Sequence, residues 1–153
     1  MSFTLKSSAF DAGGNIPAKF TCTGSDVSPA LTWDGPPNDA KTFALIVDDP
    51  DAPAGDWVHW VAANIPASVK QLTEGIPAGE SIPGGGVQGT NDFGKLGYGG
   101  PCPPPGKPHR YFFRLYALDA QLDLKPGVTK KALESAMQGH ILGQAELMGK
   151  FAR

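Results

Sequence analysis

An apolar run of strand type, Ala44-Leu45-Ile46-Val47, ends abruptly in Asp48-Asp49-Pro50-Asp51-Ala52-Pro53. Short apolar runs bounded by Pro and Asp read as buried strands. Pro50 and Pro53 lack a backbone donor and lock φ, so the strand must stop there. Pro50 also pushes Asp49 toward extended geometry. The expected result is a rigid rim of carboxylates at the end of a buried strand, a place where small-ligand sites form. Taken alone, these residues could equally make a solvated Asp/Pro turn. They gain a functional meaning only beside polar groups found later in the chain.

Two further runs have the same character. Trp57-Val58-His59-Trp60-Val61-Ala62-Ala63-Asn64-Ile65 is aromatic and β-branched, apolar on both faces, and stopped by Pro66. That pattern fits a strand covered on both sides. Strict alternation would put His59 on one face with Trp57 and Val61. His109-Arg110-Tyr111-Phe112-Phe113-Arg114-Leu115-Tyr116-Ala117-Leu118 forms a third strand, with His109 in phase with Tyr111, Phe113 and Leu115. Shorter strands are expected at Leu31–Trp33, Val87-Gln88 and around Ala145–Met148. One helix is legible. Thr129 suits an N-cap, Leu133, Ala136 and Met137 follow at helical spacing, and Gly139 stops it.

Twenty glycines and fifteen prolines punctuate the 153 residues without forming long tracts. This suits a β protein with many connections, and the length suits one domain. Net charge is -2 and Lys and Arg form no patch, so a nucleic-acid partner is not expected. No apolar run reaches the ~18 residues of a membrane span. The first residues lack the charged and apolar regions of a signal peptide, so a cytoplasmic location is expected. Cys22 and Cys102 could pair in principle, but in a reducing compartment two cysteines far apart in sequence are more often free thiols, and that is the expectation.

Two motif matches fail on context. Gly84–Gly89 fits G-x-G-x-x-G, but no strand precedes it and no helix follows. Gly89–Leu96 approaches a phosphate-binding loop, but Leu96 stands where a hydroxyl should hold magnesium. What survives is a set of polar groups at strand ends: Asp49 and Asp51, His59, the loop Gly99-Gly100-Pro101-Cys102-Pro103, and His109. Two imidazoles offer donors, and charge when protonated. Prolines at 101, 103, 104 and 105 stiffen the stretch from Gly99 to Gly106, in which only Gly99, Gly100, Cys102 and Gly106 keep an N–H that could meet an anion. An Asp beside an imidazole fixes its tautomer.

In this order, Asp49-Pro50-Asp51-Ala52-Pro53, Trp57-Val58-His59, Gly99-Gly100-Pro101-Cys102-Pro103-Pro104 and His109-Arg110-Tyr111 resemble the phosphatidylethanolamine-binding protein (PEBP) family, and most closely its bacterial Raf-kinase-inhibitor-like branch. Cys22-Thr23-Gly24, Ser28–Trp33 and the tail near Ala145–Phe151 extend the resemblance over nearly the whole chain. The resemblance implies an antiparallel Greek-key β-sandwich with one or two peripheral helices. It also implies a homodimer, and an anion pocket lined by Asp49, Asp51, His59, Gly100, Pro101, Cys102, Pro103, His109 and Tyr111. The expected partner is a small phosphate-bearing ligand such as a phosphorylethanolamine or lipid head group, bound without a cofactor.

Two other classes are weighed against this binding role. An Asp–His pair can do acid–base work, with Cys102 as a nucleophile or with two Asp and two His around a metal. A protein-interaction module inhibiting a kinase or protease is the other, although the sequence shows no groove or charged patch for it.

Overall fold

The computed structural model describes residues 2–153. It contains eight strands and one α-helix: β1 (Thr4–Lys6), β2 (Leu31–Asp34), β3 (Thr42–Asp49), β4 (Trp57–Pro66), β5 (Gln71–Leu72), β6 (Val87–Gln88), β7 (His109–Leu118), α1 (Lys130–Met137) and β8 (Ile141–Phe151). They form a three-stranded sheet ordered β1-β2-β5 and a five-stranded sheet ordered β6-β4-β3-β7-β8. Every strand pair is antiparallel.

The core lies between the sheets. Leu31, Trp33 and Leu72 of the small sheet meet Phe43, Trp60 and Phe113 of the large one. The outer face of the large sheet carries a second cluster, in which Ile46, Val58 and Val61 are covered by Leu122 and by Leu133 and Met137 of α1. Central strand β3 is therefore buried at all eight positions, which accounts for its unbroken apolar run. Helix α1 is short and begins as its sequence predicts: the Thr129 side chain accepts from Ala132 N–H at 3.1 Å. Past its C-terminus Gly139 adopts φ +83°, the left-handed conformation that ends helices.

Strand β8 is much longer than the four residues expected. It pairs with β7 from Leu118↔Ile141 to His109↔Phe151. Gly143 and Gly149 hide its period in the sequence, and the long partner strand supplies the ladder.

Strand β4 departs from strict alternation. Val47 pairs with Trp60 and Asp48 with Val58, so His59 is an extra residue, a β-bulge. A bulge re-aims side chains and breaks the period of two. His59 and Trp60 consequently face the same side, His59 against Tyr111 and Trp60 in the inter-sheet core, whereas Val61 joins Val58 on the helix face. The expected grouping of His59 with Val61 is thus corrected, and its grouping with Trp57 stands, since both border one cavity.

Candidate ligand pocket

The end of β3 and the starts of β4 and β7 meet at one end of the large sheet, around a cavity of about 230 Å³. Asp49, His59, His109 and Tyr111 supply its polar lining. Pro53, Trp57, Phe93 and Pro104 supply apolar walls.

The three acids of the Asp-Asp-Pro-Asp run serve three separate ends. Asp49 Oδ1 accepts from the Asp51 N–H at 2.7 Å, a local turn bridging Pro50. Its Oδ2 accepts from His109 Nδ1–H at 2.7 Å. Asp48 points to the opposite face, where it accepts from Arg114 and from Lys130. Asp51 turns outward onto Arg110 and accepts from its backbone N–H, Nε and Nη2, each at 2.9 Å. Those Arg110 bonds hold the Asp51 carboxyl down to about 2. Asp51 does not line the cavity; of the two roles open to it, lining the pocket or orienting the loop, its bonds to Arg110 fit the second. Nor do two Asp and two His converge as a metal would need; among the described residues no three His, Cys, Asp or Glu side chains cluster that way.

The imidazoles are set by their Nδ1 partners. His59 Nδ1 lies 2.7 Å from the Gly99 carbonyl, which can only accept, so Nδ1 carries the proton. His59 Nε2 makes no hydrogen bond to the described residues. The ring is 3% exposed, and burial lowers its pKa from the ordinary histidine value. The unfolded chain then takes up the proton first as pH falls. The stability contributed by neutral His59 is complete above about pH 6.5 and is lost as pH drops from there toward the folded-state value. We therefore expect urea midpoints to fall between pH 7 and pH 5, and to fall less in His59→Gln. Equal slopes for the two proteins would contradict a buried neutral imidazole.

Tyr111 sits between the histidines, with ring centroids 5.2 Å from His59 and 6.5 Å from His109. It is 1% exposed, and its hydroxyl has no hydrogen-bond partner. Burial, then the charge of Asp49, pushes this phenol up, so it stays protonated. A buried hydroxyl without a partner costs about 1–3 kcal/mol.

The Gly-Pro loop differs from expectation in two respects. First, most of its donors are already used. Gly99 N–H donates to His59 O at 2.9 Å, Gly106 N–H to Arg153 O at 3.3 Å, and Gly100 N–H to Asp26 Oδ1 at 2.8 Å. Cys102 N–H alone of the four has no bond to the described residues. Gly100 and Pro101 are buried behind the lining, to which Cys102, Pro103 and Pro104 contribute. Position 100 requires glycine because a Cβ there would overlap the Phe20 carbonyl and the Asp26 carboxylate.

Second, the cysteines are not free. Cys22 and Cys102 form a disulfide, with Cα atoms 5.3 Å apart. The fold lays residues 20–26 beside residues 98–102: Tyr98 Oη–H donates to Phe20 O at 2.6 Å, and Cys22 N–H to Pro101 O at 3.1 Å. A separation of 80 residues left the pairing the less expected of two outcomes. With its sulfur bonded, Cys102 offers no thiolate, and the nucleophile considered for it is withdrawn. Sequence reasoning also missed Phe93, 41% exposed at the cavity mouth, because it lies in an irregular loop without a period.

Residues 6–152 match the family model described as phosphatidylethanolamine-binding protein. A UPF0098 protein of Methanothermobacter thermautotrophicus is 55% identical over 149 residues, covering 97% of this chain and 98% of that one. One from Pyrococcus horikoshii is 49% identical over 150 residues, covering 96% and 75%. Among solved structures, a PEBP homolog of Chlamydia trachomatis superimposes with a TM-score of 0.91 at 43% identity, covering 99% of this chain and 98% of its own. YbcL of Escherichia coli does so with 0.90 at 33% identity, covering 100% and 99%.

Proposed function

Since the chain belongs to the phosphatidylethanolamine-binding protein family, we propose that it is a binding protein whose cavity takes a small phosphate-bearing anion. The observation that carries this reading is the buried Tyr111 hydroxyl, which makes no hydrogen bond within 3.5 Å, on a ring that lines the cavity beside Asp49. Beside it are two imidazoles whose Nδ1 atoms are occupied, by Gly99 O and by Asp49. A ligand oxygen meeting Tyr111 would relieve the unpaired hydroxyl. His109, when protonated, would add a charge-assisted bond.

A few such bonds, each about 1.5–3 kcal/mol, predict a Kd on the order of micromolar to millimolar. Asp51 is committed to Arg110, which leaves no free rim carboxylate for an ammonium. With its phosphate singly ionised, phosphorylethanolamine should therefore bind within about threefold of inorganic phosphate, a margin set by screened surface charge.

A histidine NMR titration tests the reading. His140, paired with Asp119 at 2.8 Å and absent from the cavity lining, is the internal control. Phosphate should shift His59 and His109 saturably and leave His140 still. His109→Ala should weaken binding roughly 10–100-fold, the loss of one charge-assisted bond. If saturating phosphate moved none of the three, the cavity would not be an anion site.

A further inference from the structure

We propose that the cavity selects oxyanions that bring a hydrogen of their own, and that His59 Nε2 is the atom that accepts it. Inorganic phosphate and singly ionised phosphate monoesters belong to this class; fully ionised anions such as sulfate do not. The inference rests on the anion-binding reading and adds a protonation state to it.

The inventory of donors and acceptors supports this selection. His59 Nδ1–H is committed to Gly99 O at 2.7 Å. A neutral imidazole has one N–H, so its Nε2 presents a lone pair. A second proton would create a cation at a site 3% exposed. The charged and titratable groups facing His59 are Asp49 from β3, and His109 and Tyr111 from β7; Asp48 lies farther off on the other face of the sheet. Phe93 and the backbone of Gly99 and Gly100 complete its surroundings and bring no charge. Burial opposes the second proton more strongly than the carboxylates favour it, since the net effect is a lowered pKa.

Asp49 is also an acceptor, with its oxygens receiving Asp51 N–H and His109 Nδ1–H. Tyr111 Oη–H is a donor, and His109 Nε2 is a donor only when the ring is protonated. The cavity therefore mixes acceptors with donors. Sulfate at neutral pH can accept from Tyr111 Oη–H but sets an oxygen lone pair against His59 Nε2. Phosphate keeps at least one P–O–H at the same pH, which can donate to His59 while its other oxygens accept. A polar atom left unpaired in a buried site costs the wrong ligand a factor of about 10–100.

The experiment uses the intact protein with inorganic phosphate and sodium sulfate at pH 7.0 and matched ionic strength, read by histidine ¹⁵N shifts and by calorimetry. Phosphate is expected to bind about 30-fold tighter than sulfate, with His59 Nε2 keeping the shift of an unprotonated nitrogen. Lowering the pH until folded His59 protonates turns Nε2 into a donor, and the preference should narrow. Equal binding of both anions at pH 7.0, with His59 Nε2 acquiring a proton, would overturn the selectivity and leave the anion site standing. Failure of both anions to bind would remove the anion site itself, and the selectivity with it.

Discussion

Replacing Cys22 and Cys102 together by serine should lower the unfolding free energy by about 2–4 kcal/mol. The midpoint of thermal unfolding should drop by roughly 5–15 °C, at about 2–4 °C per kcal/mol for a chain of this size. The disulfide spans 80 residues, and closing so long a loop restricts the unfolded chain by about 4.5 kcal/mol in the entropic treatment. The expected loss is smaller because unfolded chains retain structure. The fold itself should survive, because Tyr98, Gly100 and Cys22 N–H still join the two segments by hydrogen bonds. Reducing the wild-type protein should reproduce the same drop without any change of side chain. Identical melting of oxidised, reduced and double-serine forms would mean that the bond constrains nothing. Phosphate affinity should also weaken severalfold, since Cys102 is part of the cavity wall and a looser wall must be ordered on binding.

Asp48→Ala should cost about 3 kcal/mol by urea denaturation, and the neighbouring Asp51→Ala should leave the midpoint nearly unmoved. Asp48 is 2% exposed and sits 2.8 Å from Arg114 and 2.7 Å from Lys130. Burial pushes its carboxyl pKa up despite the opposing bond from Lys130. The cluster is thus costly to desolvate, and an ion pair of this kind adds little against an apolar replacement of the whole set. Removing one member is a different matter, because it strands buried charge, at about 3–5 kcal/mol. The low end is expected here since Arg114 keeps Glu146 and Lys130 keeps Asp56. Asp51 pairs with a half-exposed Arg110, and exposed pairs of this kind contribute little. Equal destabilisation by the two substitutions would refute the assignment of Asp48 to the interior and Asp51 to the surface.

The parts of the site that could be read in advance were those that depend on neighbours in sequence. Proline stops β3 after Asp49 because of its own ring, and His109 shares a face with Tyr111 because β7 alternates regularly. The family model matched over residues 6–152 places the chain in the family that the same motifs suggested. His59 shows where such reading stops. Its place beside Tyr111 depends on a bulge, and a bulge is set by the register of β4 against β3, which no period within β4 records.

Local chemistry by itself determined where β3, β4 and β7 run, where they stop, and which acids and imidazoles stand at their ends. The tertiary structure alone decided which face each acid occupies, which loop donors stay free, and that Cys22 meets Cys102. The physical reason is range. Backbone sterics and side-chain alternation act over one to four residues and are written in order along the chain. Sheet register, the packing of residues 20–26 against residues 98–102, and the covering of both faces of one sheet come from contacts between residues tens of positions apart, whose energies appear only when the whole core closes.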